Sequence, residues 1–151
     1  MSQRVTDPFI WKDEEWVFLG ADDVYSLFDP EKYGLHPSMP STACYKGFII
    51  QFSVRDSNLY LDRLAVYCDD GSYPPINSIE PSIGTTGMQE YSDLNIPLKY
   101  SGIVIVGREI KPEYEGRAFT GPHSYETTYE LEFRDGILVH HKDTSGAYFG
   151  F

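Results

Sequence analysis

Two cysteines, Cys44 and Cys68, are all the thiol chemistry this 151-residue chain has. That is too few for a disulfide scaffold, and they stand too far apart for a zinc knuckle. They bracket a predicted hairpin, so a cross-strand disulfide is geometrically conceivable, but two buried thiols are the expectation in a reducing compartment. Basic residues are also scarce: 12 Lys and Arg face 23 Asp and Glu, a formal net charge of −11. The excess divides into −5, −3 and −3 over residues 1–40, 41–100 and 101–151, so no single acidic tail carries it. This balance argues against binding a nucleic-acid backbone or an anionic lipid surface.

Long apolar runs are missing as well. Gly102 to Val106 reads as a strand, and nothing approaches the ~20 residues of a membrane-spanning helix. The opening MSQRVTDPFIWKDEEW has no apolar core of a secretory signal, so the expectation is a soluble, cytoplasmic protein.

Reaction motifs are absent too. Ser57, Ser101 and Ser145 lack the flanks of a nucleophile elbow. A Cys-His pair would need Cys44 or Cys68 beside His36, His123, His140 or His141, which spacing alone does not arrange. Gly84-Thr85-Thr86-Gly87 has neither the preceding strand nor the lysine of a phosphate loop. Asp69-Asp70 lacks the spaced oxygen ligands of a calcium loop, and His36 and His123 lie beside prolines in loops. No metal or cofactor is expected, and a non-enzymatic role is favoured over catalysis.

What is present is aromatic and turn-rich. Twelve Tyr, nine Phe and two Trp, with ten Pro and 13 Gly, suit short strands joined by turns. The clearest stretch is Ser124 to Asp143. Tyr125, Thr127, Tyr129, Leu131 and Phe133 alternate with Glu126, Thr128, Glu130, Glu132 and Arg134, a period of two with one apolar face. Asp135-Gly136 then supplies a type I′ turn, which predicts a hairpin over 124–142. Counting from a two-residue loop sets Phe133 opposite Leu138, Leu131 opposite His140 and Glu130 opposite His141. His140 then joins the inner aromatic face, and His141 joins Glu126, Glu130 and Glu132 outside.

The remaining chain reads as follows. Residues 1–15 form a loosely held start docked by Phe9, Ile10 and Trp11, and Trp16 to Leu19 is a short strand. Asp22 caps a helical turn through Val24 to Phe28, and 29–42 is an ordered loop. Ala43 to Val54 and Leu59 to Cys68 pair across a turn at Arg55–Asn58. Leu59 and Leu61 share one parity and Leu64 and Val66 the other, which calls for a β-bulge near Asp62-Arg63. Residues 78–98 read as a crossing loop with one helical turn at Met88–Asp93. Tyr100 to Val106 is a central strand, 107–121 a charged loop, and the aromatic end Gly146 to Phe151 covers an edge of the core. The fold expected is a single, mainly β domain over 1–151, with an α+β arrangement the alternative. It has five to seven mostly antiparallel strands in a curled sheet or partly closed barrel, with one or two short helices.

Function is then a matter of surface. Paired carboxylates Glu130 and Glu132 suit a general acid and base in a groove, but solvent-facing glutamates on an amphipathic strand are far commoner. Tyrosines interleaved with acidic residues make a recognition surface for a basic protein, with candidate contacts at Glu126, Glu130, Glu132, His141, Asp69 and Asp70. In bulk properties the chain resembles bacterial immunity proteins, which implies inhibition of a basic partner. The competing expectation is a small-molecule binder or enzyme with an aromatic-lined cavity built from Tyr125, Tyr129 and His140. A third, an acidic mimic of nucleic acid, needs carboxylates in regular rows on one face.

Overall fold

The structure, a computed structural model, describes residues 6–38, 47–84, 87–116 and 121–148. Seven strands of five or more residues build one curled sheet: β1 (Asp7–Trp11), β2 (Glu14–Ala21), β3 (Phe48–Arg55), β4 (Asn58–Val66), β8 (Gly102–Ile110), β9 (Tyr125–Arg134) and β10 (Ile137–Asp143). Three short pieces, β5 (Ser82–Ile83), β6 (Gln89–Tyr91) and β7 (Ile96–Pro97), extend it beyond β4. The order is β10-β9-β8-β2-β1-β3-β4-β6-β5, with β7 also on β4. Pairing is antiparallel except where β1 lies parallel to β3, Phe9 beside Phe52.

The curl brings β10, one end of this path, against β4 at one point. Ile137 bridges Asn58, the Leu138 amide donates to Ser57 O at 2.7 Å, and the Leu59 amide donates to Gly136 O at 2.9 Å. Beyond that point β10 and β4 part, so the sheet is not closed as a barrel. Its interior is filled by Phe9, Phe52, Leu59, Leu61, Leu64, Val66, Val104, Val106, Leu131 and Phe133, all at most 2% exposed. Burying each such side chain contributes about 1.5–3 kcal/mol of transfer free energy.

Turn chemistry sets the registers. Asp135-Gly136 has φ of 50° and 81°, the type I′ turn its sequence predicts. Asp56-Ser57 (51°, 66°) and Lys12-Asp13 (56°, 58°) have the same signs with no glycine at all. In β4, Gln51 pairs with Arg63 but Phe52 pairs with Leu61, which leaves Asp62 as the extra residue. The parity change between Leu61 and Leu64 has that bulge as its cause, and the Asp62 carboxylate takes both guanidinium nitrogens of Arg55.

Several expectations need correction. From Asp7 on, the opening segment is not loose: β1 sits mid-sheet between β2 and β3, with Phe9 and Trp11 buried. Polar flanks masked a strand whose inward positions, 7, 9 and 11, include an aspartate. Asp7 spends its carboxylate on the Ile50 amide at 2.9 Å. The cap of α1 (Val24–Leu27) is Asp23, whereas Asp22 accepts the Ile103 amide at 2.9 Å and ties the helix to β8. Met88–Asp93 holds β6 rather than a helical turn, because β4 offers it an edge to pair with. Strand β8 runs on to Ile110 through residues read as loop, since β9 continues beside it to Tyr125. Residues 43–46, including Cys44, and the last three aromatic-rich positions lie outside the described residues; Cys68 is buried with a free thiol.

Candidate binding surface

The hairpin register changes the proposed site. Phe133 pairs with Leu138 as counted, but His140 then pairs with Glu132 and His141 with Leu131, because Val139 is bulged out. The two histidines trade faces. His141 takes the side of the sheet edge where Trp11 lies, its ring 5.5 Å from Trp11 and 6.2 Å from Tyr129, while the residue stays exposed. His140 is exposed on the outer face opposite Glu132, so the carboxylate–imidazole pair exists with the other members.

The outer face of β9 is acidic in sequence and partly neutralised in space. Lys142 stands opposite Glu130, and the Tyr148 hydroxyl donates to the Glu130 carboxylate at 2.8 Å. Burial and that carboxylate push the Tyr148 hydroxyl's pKa up. Glu132 lies 3.8 Å from the Arg134 guanidinium. Glu126 is exposed. The segment after β10 is laid across this face by Thr128, whose hydroxyl meets Thr144 Oγ1 at 2.8 Å and whose amide donates to Ser145 Oγ at 3.1 Å. Asp69 and Asp70 occupy an exposed turn after β4, where Asp70 accepts the Ser72 amide. The structure does not bring them to the β9 glutamates.

The cavity residues also separate. Tyr125 is buried but outside the continuous core, its ring about 3.1 Å from where a Gly107 Cβ would stand, beside Leu19. Tyr129 belongs to a different cluster: Trp11, Trp16, Tyr129 and His141, with Trp11–Trp16 at 5.4 Å, Trp11–Tyr129 at 5.1 Å and Trp16–Tyr129 at 5.5 Å. Two cations lie on this cluster, Lys12 Nζ 4.8 Å from the Trp11 ring and the Arg108 guanidinium 4.9 Å from that of Trp16. Arg108 is held there by Glu14 at 2.6 Å.

Trp11 of this cluster also lines a feature the sequence did not reveal. Where β10 and β4 part, a cleft of about 500 Å³ opens, lined by Trp11, Val54 and Leu138 and rimmed by Lys12, Asp13, Arg55, Asp56 and Ser57. Both rim turns are the glycine-free type I′ turns, so left-handed residues surround the opening. Arg55 is committed to Asp62, to Asn95 at 2.9 Å and to the Tyr60 ring at 4.1 Å, and the Asp62 hydrogen bond raises its pKa. Neither the Asp13 nor the Asp56 carboxylate has a hydrogen bond or ion pair among the described residues. A sequence signal existed only in part: Trp11-Lys12-Asp13 and Asp56-Ser57 are turn-compatible, but their convergence depends on the curl.

Among the described residues no three His, Cys, Asp or Glu side chains converge on a metal-sized site. Burial pushes the Cys68 thiol's pKa up, the opposite of an activated nucleophile. Among the described residues no helix is long and apolar enough to cross a membrane. No protein-family model, no curated protein and no solved structure matches the chain.

Proposed function

We propose that this is a non-enzymatic binding domain that engages a basic protein partner, with its principal contact at the open mouth of the curled sheet. The observation that carries the reading is the pair of carboxylates, Asp13 and Asp56, which have no hydrogen bond or ion pair among the described residues and stand on two turns that flank a cleft lined by Trp11. Two of the three β9 glutamates, by contrast, already have partners. A net charge of −11 speeds encounter with a basic surface, and the tryptophan and apolar floor supply desolvated contact area. Inhibition of that partner, in the manner of immunity proteins, is the finer form of the proposal.

The test compares two charge-matched double variants, Asp13→Lys/Asp56→Lys and Asp69→Lys/Asp70→Lys, for recovery of a stoichiometric partner from host lysate at low and high salt. The expected result is partner loss with the first pair, retention with the second, and at least about a tenfold fall in wild-type affinity at high salt. Equal loss from both pairs would reduce the interaction to net charge and remove the mouth from the proposal.

A further inference from the structure

The cleft has features that specify which side chain of a basic partner it takes, an inference that rests on the binding reading above. We infer that the mouth is an arginine-binding subsite: a guanidinium lies on the Trp11 ring and is held between the carboxylates of Asp13 and Asp56. Three observations converge. The Trp11 ring face already attracts a cation, because Lys12 Nζ lies 4.8 Å from it with no other partner among the described residues. The ring, 4% exposed with Lys12 over it, is immobilised by a tilted contact to Trp16 and edge contacts to Tyr129 and His141, so a cation that replaces Lys12 meets an already ordered face. The rim carboxylates stand on type I′ turns, positions fixed by the hairpins rather than by flexible loops.

Charge and size decide between occupants. The rim's own cation Arg55 is neutralised by Asp62, which leaves two carboxylates and the Lys12 ammonium as the remaining charges around the cleft. An anion would meet both aspartates. A volume of about 500 Å³ exceeds what an ammonium alone fills and admits a long side chain with its planar head. Guanidinium is preferred to ammonium because it stacks on indole and donates in a fork to carboxylate. Lys12 therefore acts as an internal surrogate that the incoming arginine displaces.

The probe is the capped tripeptide Gly-Arg-Gly, with its citrulline counterpart as an uncharged isostere, titrated into the full-length protein and followed by indole and backbone amide NMR shifts. Shifts are expected at Trp11, Lys12 and Asp56 with arginine and not with citrulline. Asp13→Asn/Asp56→Asn removes the charge but keeps residues that favour the left-handed turn conformation, and should weaken the arginine peptide at least about tenfold. Lys12→Ala, which removes the competing cation, should tighten it. Equal binding of citrulline, shifts elsewhere, or unchanged affinity in the double asparagine variant would overturn the subsite. If the lysate partner is still lost with Asp13→Lys/Asp56→Lys while the arginine peptide fails, the mouth binds that partner by another group and only this inference falls.

Discussion

Gly136 shows how much one residue can decide. It is the second position of the β9–β10 turn, with φ of +81°, and a Cβ there would stand 2.0 Å from the carbonyl oxygen of Leu98. Its own amide and carbonyl join Tyr100 and Leu59, so the residue cannot move aside without undoing the contact between this hairpin and β4. Gly136→Ala is expected to cost at least about 2 kcal/mol, read as a fall in the urea midpoint at unchanged slope. Ser57, at the equivalent position of the β3–β4 turn, reaches φ of +66° with a side chain. There the reverse change, Ser57→Gly, should stabilise by about 0.5–1 kcal/mol. A midpoint shift of the same sign in both variants would contradict this account of the turns.

At the scale of elements, the bulges decide which side chains meet. Strand β4 announces its bulge, because apolar parity changes across Asp62 and only an extra residue keeps both halves inward. Strand β10 gives no such warning: in Ile137-Leu-Val-His-His-Lys, a histidine of either parity is acceptable at an edge. The outcome is that His141 packs on Trp11 and His140 faces Glu132. His141→Ala should therefore cost about 0.5–1.5 kcal/mol, and His140→Ala no more than about 0.5 kcal/mol. The ring protons of His141 should be displaced from random-coil shifts by Trp11 and Tyr129 and those of His140 should not. A reversed assignment would restore the simple two-residue register.

At the scale of the whole molecule, buried tyrosines tie stability to alkaline pH. Tyr91 is fully buried, donates its hydroxyl to Pro74 O at 2.7 Å, and burial pushes its pKa up to about 12. Tyr33 and Tyr100 are raised for the same reason. A phenol that ionises near pH 10 when unfolded and near 12 when folded stabilises the fold below pH 10. That stability is lost as pH climbs from 10 to 12. The urea midpoint should be flat from pH 8 to 9.5 and then decline, and Tyr91→Phe should soften the decline while removing one hydrogen bond. A midpoint that stayed level to pH 12 would refute the assignment.

The sequence by itself determined the β character, the alternation of β9, the Asp-Gly turn, the bulge at Asp62 and the central place of β8. Each follows from local pattern: period two, turn residues that tolerate positive φ, and parity that must stay inward. Only the tertiary structure decided that the polar opening of the chain is a mid-sheet strand, because its second partner, β3, comes from far along the chain. It likewise decided that Glu130 is occupied by Tyr148, that the histidines exchange faces, and that Asp13 and Asp56 flank a common cleft. Such pairings depend on curl and stagger, which sum small twists over the whole sheet and leave no mark on any short window of residues.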